Sequence, residues 1–363
     1  MLRVYDTKYL LNIYRQINMS ESGGTKAEYK RTLKTMEQNI KNFTDQLDLI
    51  SPEPRTLENL DIDGYFEEVT KISNKISFEA NKLSLSWLSP PVPSNKDLVQ
   101  MGAALEVACV ALVAAVHNFP NNAGLNIAQL YRERSKVVLE SCLSFVRTMT
   151  DTLGKKFSSN SHPLLERFGV VSSHCDLLRT SPRSNKAVCL ARLKDQYGLL
   201  KDALSELDEV NNDDFLEDFG EESEQWTERD HQLINPCKGL IKTSIFLVKK
   251  TMDTIRKEGL DKSGEDLQEY DAVLENIMKI SPSVDDSALS LYPPLDWSEC
   301  KERNEILKSC LEESLSRLAE FHFMKSEESI KWKDFVSKAV VHNFSEIQRV
   351  FITAGLAEMK VAE

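Results

Sequence analysis

The one adjacent pair of side chains that could supply a nucleophile and its base is His174-Cys175. A cysteine attacking an acyl carbon needs the imidazole within hydrogen-bond reach of its sulfur. Neighbours on a helix point about 100° apart and do not face each other, so the pair reads as a core cysteine beside a surface histidine. The six histidines are dispersed, and no two of them have metal-ligand spacing on one helix. Carboxylates are plentiful but form no recognisable catalytic pair. There is no Gly-rich phosphate loop, no H-E-x-x-H and no G-x-S-x-G, and Gly23-Gly24 reads as a flexible turn. No catalytic residue, cofactor or metal site is therefore expected. An enzyme would need a polar, inward-facing cluster of carboxylates or histidines inside a helical core.

With chemistry thin, the cysteines and charges say more about setting. Seven cysteines (109, 142, 175, 189, 237, 300 and 310) make an odd, scattered set without a CxxC. Most sit in apolar helical stretches, where Cys behaves as a small hydrophobe, and a reducing compartment is expected. The net charge of −12 argues against nucleic acid, whose phosphates require clustered Lys and Arg. Most of that charge is local: residues 208–230 hold eleven acids and one base, which leaves the remainder near −2. Such an acidic run reads first as a solvated linker, and secondarily as a region that could steer a basic partner. The longest apolar run, 107–116, is ten residues, half of what a membrane span needs, so it is expected to be a buried core helix. No signal peptide is evident, and Met19-Ser20-Glu21-Ser22 looks like an ordinary start. The Asn-x-Ser/Thr triplets at Asn42 and Asn343 lie within helical patterns.

The elements that must carry these residues are helices. Tyr29, Leu33, Met36, Ile40, Phe43, Leu47 and Ile50 alternate by four and three, giving one apolar helix face, which Ser51-Pro52-Glu53-Pro54 ends. A second stripe, Ile62, Phe66, Val69, Ile76, Ala80, Leu83 and Trp87, stops at Ser89-Pro90-Pro91. Ser94 and Asp97 form a capping-box-like start for a helix that is apolar nearly all round and runs to Phe119. Further helices are expected over 123–156, 162–178, 184–210, 227–258, 264–280, 297–324 and 328–358. Thr227 with Asp230 caps the first helix after the acidic run, and Pro236 should kink it. The fold class expected is all-α: two antiparallel helical bundles joined by an acidic linker. Residues 1–24 form an N-terminal extension expected to be disordered, 25–207 the first bundle, 208–226 the linker and 227–363 the second bundle. Phe215, Leu216, Phe219 and Trp226 make that linker more than a plain spacer.

Leu190, Leu193, Tyr197, Leu200, Leu204 and Leu207 keep a zipper-like rhythm. It covers under three heptads, short for an isolated coiled coil, so the bundle-core reading is preferred over a dimer seam. Four Ser-Pro pairs, at Ser51, Ser89, Ser181 and Ser281, sit at element junctions. They read as caps or helix stops rather than as kinase sites.

The densest string is Ser281-Pro282-Ser283-Val284-Asp285-Asp286-Ser287-Ala288-Leu289-Ser290-Leu291-Tyr292-Pro293-Pro294. Read physically, Ser281 caps a short helix, Pro282 fills its first turn, two acids stand near its positive end, and Pro293-Pro294 stops it. If the string only braces the second bundle, Leu289, Leu291 and Tyr292 finish its core. A partner surface would need acidic or apolar side chains exposed beside them.

This string resembles the C-terminal signature of the cyclin-D-binding protein family, also described as Grap2-and-cyclin-D-interacting or maternal Id-like proteins. Two further stretches are similar: Arg183-Ser184-Asn185-Lys186-Ala187, and Trp226-Thr227-Glu228-Arg229-Asp230 leading to Ile234-Asn235-Pro236-Cys237. The resemblance covers roughly Ile62 to the C-terminus. It implies a non-enzymatic regulator of cell-cycle progression and transcription, found in nucleus and cytoplasm. Its implied partners are D-type cyclin, adaptor proteins and helix-loop-helix transcription factors, with no direct nucleic-acid or membrane binding and no catalytic residues. The rival expectation is a vinculin- or catenin-like adaptor of the cytoskeleton or of signalling complexes, which helices of this length would suit. On the expected domain plan, limited proteolysis cuts first within 208–226 and leaves two helical fragments. Protection of that stretch would place the boundary elsewhere.

Overall fold

In the computed structural model the described residues are 25–50, 62–88, 93–119, 123–153, 163–210, 226–260 and 264–361. They contain eleven α-helices, one 3-10 turn and no strand, so the fold is all-α. In chain order the helices are α1 (Lys26–Asp48), α2 (Ile62–Leu88), α3 (Asn95–His117), α4 (Leu125–Thr152), α5 (Pro163–Arg179) and α6 (Asn185–Val210). Then come α7 (Glu228–Glu258), α8 (Gly264–Ile277), α9 (Ile280–Leu289), α10 (Trp297–Leu318), the 3-10 turn His322–Met324 and α11 (Glu327–Val361). The N-terminal extension 1–24, the stops at Ser51-Pro52-Glu53-Pro54 and Ser89-Pro90-Pro91, and the linker's 211–225 lie outside the described residues.

The chain divides into two compact units. The first runs to Ser181 but excludes Asn121–Ile127, which belong with Pro182 onward in the second. In the first unit α3 packs against both α1 and α2, and α2 against α5. By length and composition α3 could cross a membrane. Here Leu98, Leu105, Cys109 and Leu112 are instead fully buried, and its buried Glu106 accepts a hydrogen bond from Asn39 at 2.9 Å. Its start is the expected capping box of Ser94 and Asp97. An equivalent box of Thr25 and Glu28 opens α1.

The second unit corrects the expected boundary. Helix α6, assigned on sequence to the first bundle, packs on α7, α8 and α9. Leu193, Leu200 and Leu207 are wholly buried there, while Leu190, Tyr197 and Leu204 pack half-buried against the same core. The acidic run shifts the composition abruptly, but the cut between cores comes earlier, at Ser181-Pro182. A chain break in the linker would therefore part α6 from the core it shares. Pro236 lies inside α7, and helix continues on both sides of it.

One further difference concerns where the expected helix 264–280 gives way to the short helix after it. Helix α8 ends at Ile277, and Lys279, itself in helical conformation, leads straight into α9 without a side-chain cap. Ser281 therefore stands inside the first turn of α9, buried, rather than capping it. Pro282 still falls in that first turn, where a missing N–H loses no helical bond.

Because Leu200 is enclosed on all sides, Leu200→Ala is expected to lower the unfolding free energy by about 2–5 kcal/mol through lost transfer and an unfilled cavity. Sedimentation should show the same oligomeric state before and after the change. A wild-type dimer turned into an equally stable monomer would instead make the stripe a dimer seam.

Candidate interaction face

The groups that might have done chemistry are structurally committed. Cys175 is buried and its thiol is pushed up to about 12, chiefly by loss of water. A thiol so shifted is not a nucleophile at neutral pH. The His322 ring does contact Glu269, but its Nε2 accepts the Leu260 N–H at 3.1 Å, so that nitrogen has no lone pair left to act as a base. All seven cysteines are free thiols, and only Cys310 is partly exposed. No group of three potential metal ligands occurs among the described residues.

The sequence strings that stood out become corners of the second unit. Ser184 Oγ accepts the Ala187 N–H at 3.2 Å and opens α6. The buried Asn185 donates to Leu267 O at 2.8 Å and Asp271 Oδ1 at 3.0 Å, and its Oδ1 accepts the Ile127 N–H. Lys186 Nζ donates to Gly259 O at 2.7 Å. In the second string, Trp226 Nε1 donates to Leu291 O at 2.8 Å. Thr227 and Asp230 form the capping box of α7, with Asp230 buried. Its other oxygen, Oδ1, accepts from Trp297 Nε1 at 2.9 Å, while the Arg229 guanidinium lies 4.5 Å from the Trp297 ring centroid.

The signature helix α9 has two faces. Ile280, Ser281, Val284, Ser287 and Ala288 point inward, and α9 packs against α6 and α10. Ser287 Oγ donates to the buried Asn304 at 3.0 Å, and Asn304 donates onward to Cys300 O at 2.8 Å. Ser283 Oγ donates back to Lys279 O. Beyond the helix, Leu291 is fully buried, Tyr292 and Pro293 are half-buried, and the Pro293-Pro294 peptide is cis. Helix α9 stops at Leu289, with Ser290 as its C-cap, three residues ahead of the prolines.

The other face carries Pro282, Asp285, Asp286 and Leu289, all exposed. Leu289 is 65% exposed, so it does not finish the core as its neighbour Leu291 does. Partial burial, then Asp286 and Glu206, hold the Asp285 carboxyl above its usual range. Burial, with Glu206 and Glu209, does the same for the Tyr292 phenol. The α6 carboxylates therefore belong to this neighbourhood, which nothing in their sequence spacing from α9 signals. Arg303 pairs with Asp286 at 3.3 Å, on the exposed surface. The result is an apolar knob, Leu289, set among carboxylates.

The chain matches two family models. The model for the Grap2 and cyclin-D-interacting N-terminal region matches residues 68–213, and the one for the C-terminal region of the same family matches 208–316. Among similar proteins is the cyclin-D1-binding protein 1 homolog of Danio rerio, 28% identical over 298 residues, 78% of this chain and 86% of the relative. The homolog from Xenopus laevis is 28% identical over 309 residues, 82% and 92% of the two chains. Cyclin-D1-binding protein 1 of Homo sapiens is 23% identical over 348 residues, 88% and 95%.

Asp230 connects the start of α7 to α10, so Asp230→Ala removes a helix cap and orphans the Trp297 N–H together. The expected loss is about 1–3 kcal/mol, read from denaturant unfolding. An unchanged midpoint would show that these contacts contribute nothing to the second unit.

Proposed function

The chain belongs to the Grap2 and cyclin-D-interacting family, and from that premise we propose that it binds a D-type cyclin through the exposed face of α9. The observation that carries this reading is that the signature string divides cleanly: its inward half is committed to packing, and Pro282, Asp285, Asp286 and Leu289 are left outward. An apolar anchor ringed by charge is a common arrangement for a binding hot spot, in which the ring fixes orientation and the anchor supplies desolvation. The protein acts without catalysis, as a negative regulator of cell-cycle progression and of transcription. Helix-loop-helix factors and adaptor proteins are further partners, and it works in cytoplasm and nucleus, where free thiols persist.

Binding of the purified full-length chain to a recombinant D-type cyclin, measured by calorimetry, tests this. The triple variant Asp285→Ala, Asp286→Ala, Leu289→Ser should lose at least about tenfold in affinity while its melting temperature stays put. An exposed ion pair such as Asp286–Arg303 adds little to stability, so the fold survives the change. No binding by the unmutated chain would remove the cyclin reading. Full binding by the variant would move the contact off α9.

A further inference from the structure

Helices α7 and α11 run antiparallel, and two hydrogen bonds lock their seam. Asn343 Nδ2 donates to Thr243 Oγ1 at 3.1 Å, and Trp332 Nε1 donates to Thr254 Oγ1 at 3.1 Å. The helices approach closely: a Cβ on Gly239 would stand 2.3 Å from Asn343 Oδ1, so a larger residue there would displace the Asn343 side chain. Over the outside of this seam lies an open groove of about 620 Å³. Its floor is aromatic. The Phe246 and Phe335 rings meet edge to face at 5.6 Å, beside Trp332.

Phe335 is 61% exposed, an unusual state for a large ring on a helix that had a buried face available. Lysines outnumber acids around it, although Glu327 and Glu328 also line the groove and the exposed Asp334 stands next to Phe335 in α11. On α7, Lys242, Phe246, Lys249 and Lys250 fall at helical spacings on one face, and on α11 so do Lys331, Phe335 and Lys338. Lys250 lies 5.7 Å from the Phe246 ring centroid. Three of the nearby acids are already engaged: Glu327 with Lys331 at 2.5 Å, Glu328 with Lys257 at 2.6 Å and Asp253 with Arg256 at 2.8 Å. Lys242, Lys249, Lys250 and Lys338 make no ion pair among the described residues. In a chain of net charge −12, this is a local cationic face around an apolar floor.

We propose that the α7–α11 groove docks an acidic amphipathic helix of a separate protein. The apolar stripe of that helix covers Phe246 and Phe335, and its carboxylates meet Lys242, Lys249, Lys250 and Lys338. The lysines fix the sign of the partner, and the aromatic floor requires that it carry apolar anchors. From Lys242 to Lys250 is about 12 Å of helix, two turns, which suits an extended element better than a small molecule. The groove's α11 wall lies beyond residues 68–316 matched by the family models, so this inference does not rest on the cyclin reading.

Fluorescence polarisation of a labelled synthetic peptide tests it. The peptide spans about four helical turns, with Leu and Phe along one face and Glu on the other. Controls replace every Glu by Lys, or every apolar residue by Ser. The full chain should bind the acidic peptide saturably, more weakly as salt rises, and should bind neither control. Phe335→Ser and, separately, Lys242→Glu with Lys249→Glu should each weaken binding by about tenfold or more. Both changes fall on exposed side chains, and matched melting curves confirm the fold. If Phe335→Ser melts early, the lysine variant decides. Equal binding by the lysine control, or no loss in either variant, overturns the proposal. So does a wild-type dimer that Phe335→Ser dissociates, because a second copy would then be the occupant.

Discussion

The first backbone N–H groups of any helix lack carbonyl partners within it, and where they are shielded from water something else must accept them. At the start of α4 this requirement falls on Asp271 and Asn185. The Asp271 carboxylate accepts the N–H groups of Leu125 and Asn126 at 2.9 and 3.0 Å, and the Asn185 amide oxygen accepts that of Ile127 at 3.2 Å. A carboxylate is favoured there, because the helix presents its positive end. The same Asn185 donates to Asp271 and to the backbone of α8, so one fully buried amide ties the first turn of α4 to α6 and α8. Gly124, at φ 107°, turns the chain into position where any side chain would collide with Asn185. Loss of that amide would leave the buried Ile127 N–H without its acceptor, which is more costly than losing one exposed bond.

This explains why a short string such as Arg183-Ser184-Asn185-Lys186-Ala187 stands out in sequence although it touches no ligand. The string 226–230 has a similar basis. Its tryptophan, threonine, arginine and aspartate each make a specific contact, and Asp230 serves α7 and α10 together. Most of the 281–294 signature is likewise explained by packing, through Val284, Ser287, Ala288 and Leu291. What packing does not explain is the outward set of Pro282, Asp285, Asp286 and Leu289. Those residues are exposed and carry none of the packing.

Local periodicity made the helices legible. The stripe of Leu33, Met36, Ile40 and Leu47 is buried as its spacing requires, and the capping pairs Ser94/Asp97 and Thr227/Asp230 start helices within a residue of where they were read. Periodicity says that a helix has an apolar face but not which neighbour covers it. The leucines of α6 suit either unit, so their spacing leaves its core open, and the choice depends on contacts with α7 to α9 across the acidic run. Ser281 misled for a related reason. A Ser-Pro pair is a fair cap signal alone, but Lys279 already sits in helical geometry, so no extended cap residue is needed. Neither Glu206 beside Asp285 nor Phe246 beside Phe335 could be found from one segment, since each pairing joins distant parts of the chain.

The charge distribution bears on how such surfaces operate. With most of the net negative charge concentrated in residues 208–230, the rest of the chain is close to neutral, and no global field overrides local patches. At physiological salt, exposed charges more than about 8 Å apart are largely screened. On the two proposals made above, the carboxylates beside Leu289 and the lysines beside Phe335 would each favour a partner of opposite sign, although both belong to the second unit. Leu289 and Phe335 are leucine and phenylalanine on helices whose inner faces are fully packed, so neither is needed outside for folding. An exposed apolar side chain flanked by charged ones gains nothing in the free protein. Its free-energy advantage arises when a complementary surface removes it from water.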